Sequence, residues 1–269
     1  MKIDLRIRTV DATPETVVAA AIAAERAGFS AVWLADQLSG ETSGGRWNLE
    51  CWTLLSAVAA RTHRIQIGPF VLNIANRDPG TMAIAAATLQ SLSGGRLLFG
   101  LGAGAGATSQ SSKDQLQLGR VPPSDAARRD ALVAAIRQTQ ALWTASGDTF
   151  LKPDPLPPII IGTFGPKVAQ LAAEVADGIA VPLDGYMSGP PMEDLISIAR
   201  ARREAVGGRP LITIVHSPPR SEFDEDRWLP GGAVAGRLQA AAVDRFVLQA
   251  RPDPEHIGRA DPRLVVSYA

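Results

Sequence analysis

Residues 64–106, RIQIGPFVLNIANRDPGTMAIAAATLQSLSGGRLLFGLGAGAG, constrain the fold of this chain more than any other stretch. Arg64 to Asn73 is rich in Ile, Val and Phe and reads as a buried strand. Asp78 and Pro79 stand in N-cap and first-turn positions of a helix. Met82, Ala85, Ala86 and Leu89 then recur at helical spacing and predict its buried face. Gly94 and Gly95 end that helix, and Leu97 to Leu101 is a second apolar strand. Gly100, Gly102, Gly104 and Gly106 follow at alternate positions, so side chains are missing where the strand leaves its sheet. Such a pattern predicts that some group approaches the backbone there.

The same strand-then-helix unit repeats along the chain. Further strands are expected at Ile3–Ile7, Ala31–Ala35, Ile159–Ile161, Gly178–Pro182, Leu211–Val215 and Arg245–Gln249. Helices are expected after Thr13, from Cys51, over Asp125–Trp143, from Pro166, over Met192–Ala205 and over Ala233–Ala242, with a short one to finish. Residues 105–124 lose the apolar period and read as one long loop rich in Ser, Gln and Gly. Eight strands alternating with helices predict a parallel sheet, and eight is the number that closes a (β/α)8 TIM barrel. An open doubly wound sheet is the alternative. No linker-like stretch interrupts the pattern, which predicts a single barrel domain over residues 1–269.

Charge and composition remove several functions. The chain has 27 basic and 27 acidic residues, so it presents no net field for nucleic acid or an anionic membrane. Cys51 is the only cysteine, and three dispersed histidines give no metal-ligand spacing, so no metal is expected. The N-terminus carries charges within its first strand and no apolar signal core, and no apolar run is long enough to span a bilayer. These features predict a soluble cytoplasmic protein. The alternating glycines do not spell the dinucleotide fingerprint, because Ala105 and Ala107 take the third glycine's place, and no phosphate-binding P-loop occurs.

The 64–106 stretch, with Asp36 before it and Gly162-Thr-Phe-Gly-Pro-Lys167 after it, resembles the bacterial-luciferase-like oxidoreductases. The resemblance runs from about Ile3 to Pro182. It implies a (β/α)8 barrel that binds FMN or the deazaflavin coenzyme F420, with the deazaflavin favoured. The Gly162–Lys167 turn and the compact Gly102–Gly106 loop are more similar to that branch, and heavy Ala and Arg usage with few lysines fits a GC-rich genome.

In a barrel of this kind the site lies at the carboxyl ends of the strands. Thr163, Phe164, Gly165, Pro166 and Lys167 open a helix directly after a strand, where free N–H groups, the helix dipole and a lysine charge suit a phosphate. The plainer alternative is an ordinary glycine–proline cap. The resemblance implies that this turn takes the cofactor phosphate. It also implies that Phe70, Val71 and Asn73 line the ring, with a non-prolyl cis peptide at Phe70–Val71, and that Gly102, Ala103 and Gly104 approach it. Asp36 would contact the ring's polar edge, against the plainer use of a strand-end aspartate as a loop cap. Where some sugar-phosphate-oxidising relatives carry a catalytic histidine this chain has Gln37, which cannot accept a proton near neutral pH. Gln37 and His216, at the end of the seventh strand, are the candidate catalytic residues, and the general base stays unassigned.

The function these readings imply is hydride transfer between bound F420 or FMN and a small organic substrate held by loops 38–48 and 105–124. An FMN-dependent two-component monooxygenase and a degenerate flavin-binding barrel without catalysis are the alternatives. The expected partners are that substrate, a reductase or dehydrogenase supplying reduced cofactor, and a second copy in a homodimer.

Overall fold

Asp4 and Arg6 alternate with Ile3, Leu5 and Ile7, so the first strand has one charged and one apolar face. In the computed structural model, which describes residues 1–147, 149–184, 189–217 and 233–265, the apolar face points outward and the charged face inward. Ile3, Leu5 and Ile7 of β1 (Lys2–Ile7) join Val17, Ala20, Ala21 and Ala24 of α1 (Pro14–Ala27) in the core between sheet and helices. Inside the barrel, Arg245 grips the buried Asp4 carboxylate with bonds of 2.7 and 2.9 Å, and Trp33 Nε1 donates to it at 2.9 Å. Burial pushes the Asp4 carboxyl above its ordinary pKa, and Arg245 and Trp33 counter it.

All nine strand segments of the described residues run parallel: β1, β2 (Ala31–Leu34), β3 (Gln66–Pro69), β4 (Leu72–Asn73), β5 (Phe99–Gly102), β6 (Ile159–Gly162), β7 (Gly178–Pro182), β8 (Ile212–His216) and β9 (Arg245–Ala250). The sheet order is β3-β2-β1-β9-β8-β7-β6-β5-β4. The nine segments make eight staves, because β3 and β4 are two halves of one strand, the first paired with β2 and the second with β5. Ile67 joins the strand on the other side as well, donating to the Arg96 carbonyl at 3.0 Å and accepting from Leu98 N at 2.8 Å. The ring is thereby closed, and the open doubly wound sheet does not occur. The interruption that splits the third stave falls at Phe70–Val71, where the peptide bond is cis.

Local signals placed the helices. The Thr13 hydroxyl caps α1 by accepting from Thr16 N, and the Asp78 carboxylate caps α3 (Pro79–Leu92) by accepting from Thr81 N at 2.8 Å. Helix α2 (Cys51–Arg61) follows the loop after β2. Helices α5 (Asp125–Thr144), α6 (Pro166–Val175), α7 (Met192–Ala205), α8 (Ala233–Ala240) and α9 (Pro254–Arg259) continue the outer layer among the described residues. No helix of the described residues is long and apolar enough to cross a membrane.

Two expectations are corrected. The buried face of α3 consists of Met82, Ala83, Ala86, Ala87, Leu89 and Gln90, while Ala85 is only half-buried, because sheet and α5 flank the helix and widen its inner stripe. Residues 105–124 are not a featureless loop. They contain a 3-10 turn (Gln110–Ser112) and a short helix, α4 (Lys113–Gln117), whose Asp114 and Gln115 are buried.

Candidate functional site

The carboxyl ends of the third, fifth and seventh staves converge on His216, at the end of β8 and 6% exposed. Its ring meets Phe70 edge-on at 5.3 Å between centroids and Phe164 edge-on at 6.3 Å. Phe70 in turn meets Trp33 at 5.1 Å. Burial, and secondarily the nearby Arg6 charge, push the imidazole pKa down to about 3. The ring is therefore neutral at neutral pH. With the proton on Nδ1 it donates to the Ser217 carbonyl at 3.2 Å, leaving Nε2 as an acceptor. A base so weak suits hydrogen bonding better than proton transfer. Beside it the Ser217 hydroxyl is buried without a hydrogen-bond partner among the described residues.

The glycines answer the question that the sequence raised. A methyl group added at Gly100 would lie 2.1 Å from the Pro69 carbonyl oxygen, and one at Gly102 would lie 2.7 Å from Val71 Cγ2. One at Gly162 would lie 2.9 Å from the same Val71 atom. The group that approaches the backbone at Gly100 and Gly102 is thus the chain itself: the bent third stave leans into its neighbours and seats Val71 between β5 and β6. Gly104 adopts φ +78°, and its Cα hydrogen faces Asn73 Oδ1. Ala103 packs on the outer core.

Asp36 lies just past β2 with its carboxylate filled by the protein. Arg77 donates to both oxygens at 2.6 and 2.7 Å, Asn73 N donates to Oδ2 at 2.7 Å, and Cys51 Sγ lies 3.4 Å from Oδ1. Arg77 also reaches Glu50, the N-cap of α2, at 2.6 Å. Burial raises the Asp36 pKa, and the Arg77 bonds pull it back. The position expected to touch a cofactor edge is therefore a bracket that ties the end of the second stave to the end of the third. Asp36, Glu50 and Cys51 form a group whose donor atoms all lie within 4.8 Å of one another. Arg77 already supplies the compensating charge, and burial holds the Cys51 thiol far above its ordinary pKa, so the set is chemically unsuited to a metal ion.

Gln37 lies in the loop beyond Asp36, where its amide oxygen accepts from Ser43 Oγ at 2.7 Å. Thr163 is fully buried and turns its hydroxyl back to the Ile161 carbonyl at 3.1 Å. Phe164 is 47% exposed. Gly165 is the N-cap of α6, Pro166 its first residue, and among the described residues no side chain caps this end. Space beside Gly165 is open, and Lys167 follows it in the first turn. A helix start with open space beside it, a lysine and an aromatic wall fit a planar cofactor carrying a phosphate.

Sequence reasoning overlooked Arg77, Asp114 and Arg128. A buried strand-end carboxylate demands a cation, which was the one available signal for Arg77. Arg128 of α5 donates to the Gly104 carbonyl and to Asp125, and so braces the glycine loop. A hollow lined by Met1, Lys2, Gly28, Ser30, Pro262 and Arg263 lies at the opposite end of the barrel, away from all of these groups.

Comparison with known proteins agrees with this fold. The chain is 28% identical to an F420-dependent glucose-6-phosphate dehydrogenase of Nakamurella multipartita, over 94% of this chain and 79% of that one. It is 30% identical to an F420-dependent hydroxymycolic acid dehydrogenase of Mycobacterium tuberculosis, over 91% and 68% respectively. Other relatives align over about half of their own length, among them a 5,10-methylenetetrahydromethanopterin reductase of Archaeoglobus fulgidus, at 46%. The fold matches an F420-dependent secondary alcohol dehydrogenase, solved with an F420–acetone adduct, at a TM-score of 0.76 over 99% of both chains and 17% identity. The profile of the luciferase-like monooxygenases matches residues 3–224, and the chain belongs to that family.

Proposed function

We propose that this protein is an oxidoreductase that exchanges a hydride between coenzyme F420, held across the carboxyl end of the barrel, and a small organic substrate. The observation that carries this reading is the meeting of Phe70, His216 and Phe164 beside the uncapped start of α6, in a chain whose relatives are named as F420-dependent enzymes. The third stave, bent at Phe70–Val71, provides one wall for the ring. Gly165 and Lys167 offer N–H groups and a positive charge to its phosphate. His216, neutral and anchored through Nδ1, presents Nε2 as an acceptor to a donor on the ring or on the substrate. When bound, the deazaflavin supplies two-electron hydride exchange. Since each turnover leaves the cofactor in its other redox state, a separate dehydrogenase or reductase is the expected partner.

The test is a fluorescence titration of the purified protein with F420 and, separately, with FMN. Saturable binding of F420 in preference to FMN supports the reading. Binding of FMN alone moves the assignment to a two-component monooxygenase, and binding of neither removes the cofactor reading altogether. A screen of alcohols and sugar phosphates, followed by F420 absorbance, would then identify the substrate class.

A further inference from the structure

We propose that Asp114 is a positioning residue that clasps the loop after β2 to the loop after β5, so that the two assemble one wall of the site together. This rests on the functional reading only in taking that wall to face the substrate. Asp114 sits in α4 and is 5% exposed. Every donor that the structure gives its carboxylate comes from the other loop. Leu38 N donates to Oδ2 at 2.8 Å, Ser39 Oγ to Oδ1 at 2.5 Å, and Thr42 Oγ1 to Oδ1 at 3.2 Å. Among the described residues no lysine or arginine pairs with it. A buried carboxylate without a cation is tolerated only while hydrogen-bond donors surround it, so Asp114 holds its place only when residues 38–42 hold theirs.

Three further contacts extend the clasp. On the same short helix, Lys113 pairs with Glu41 at 2.6 Å and Gln117 donates to Glu41 at 3.0 Å. These are exposed and worth little singly, but they bridge the same two loops. On the inner side, Gln115, 1% exposed, accepts from Ala105 N at 3.1 Å, directly after Gly104. A chain of contacts thus runs from Gln37, bonded to Ser43 in the first loop, through Asp114 and Gln115 to the glycine segment that lies against Asn73. An ordering event at either end has a physical route to the other.

Hydrogen exchange followed by mass spectrometry tests this on the full chain, comparing wild type with Asp114→Ala. Without ligand, the variant should exchange about tenfold faster across residues 37–49 as well as across 105–120, the loss expected when a charge-assisted bond opens, with the barrel strands unchanged. Ser39→Ala with Thr42→Val should loosen the first loop to a smaller degree. Asp114→Asn, which keeps one acceptor, should recover part of the protection. Should Asp114→Ala fail to fold, these two variants carry the test. Unchanged exchange across 37–49 in any variant that removes the Asp114 contacts overturns the proposal. With added F420, wild type should gain protection in both loops and Asp114→Ala only in the second; equal gains in both loops of the variant also overturn it. Failure of the wild type to bind F420 counts against the cofactor reading alone, because the ligand-free comparison decides the clasp.

Discussion

Asp36 and Arg77, distant in sequence, meet through two hydrogen bonds of 2.6 and 2.7 Å, and the carboxylate side chain has no exposed surface. This pair anchors the turn that carries the third stave out of the barrel, because the same carboxylate accepts from Asn73 N. Arg77→Met leaves a buried negative charge without its cation, a change that costs about 3–5 kcal/mol. The expected result in denaturant unfolding is a loss of that size. Arg77→Lys should lose less but not recover fully, since an ammonium cannot reach both oxygens in the same plane. Removing both charges together, in Asp36→Asn with Arg77→Met, should cost less than the sum of the single changes.

Gly102→Ala places a methyl group against Val71 and should lower stability by about 1–3 kcal/mol, as overpacking does. Adding Val71→Ala to Gly102→Ala should return part of the loss, although Val71→Ala alone is destabilising. A double-mutant cycle in thermal unfolding checks this. Additive losses would show that Val71 is not what excludes a side chain there.

His216 carries a pKa near 3 in the folded chain against an ordinary value of 6.5. Between those values the unfolded chain binds the proton and the folded chain does not, so this residue contributes stability that is present above pH 6.5 and is lost as pH falls toward 3. His216→Gln should flatten that part of the stability profile. An NMR titration of the wild type should show the His216 ring neutral throughout the range from about pH 5 to 9, and the rate profile should carry no inflection from it there.

Lys167 stands in the first turn of α6, beside a helix start that no side chain of the described residues caps. Lys167→Met should weaken F420 binding about tenfold, equivalent to roughly 1.4 kcal/mol, and leave the unfolding midpoint nearly unchanged. A phosphate-free deazaflavin should bind both forms alike. Equal weakening for the two ligands would place Lys167 against the ring instead of the phosphate.

The chain's own residues determined the elements. Helix caps at Thr13 and Asp78, the Gly165–Pro166 start and the apolar runs act within a few residues of themselves, so they are legible in one dimension, and the repeat of strand and helix names the barrel. The motif around Phe70 and the Gly162–Lys167 turn identified the family for the same reason. Everything that joins distant segments waited for the tertiary structure. The alternation in β1 announces two faces but cannot say which is inward, because a barrel layered with helices buries both; Asp4 faces the interior only because Arg245 and Trp33 arrive from other strands to satisfy it. The glycines of β5 announce a close approach without naming the visitor, which proved to be the third stave, with Pro69 against Gly100 and Val71 against Gly102. Asp36 reads in sequence as a contact to a cofactor edge or a plain loop cap, and Asp114 gives no signal at all; only the fold buries them, and burial makes a carboxylate select its partners: Arg77 for one, the amide and hydroxyls of Leu38, Ser39 and Thr42 for the other.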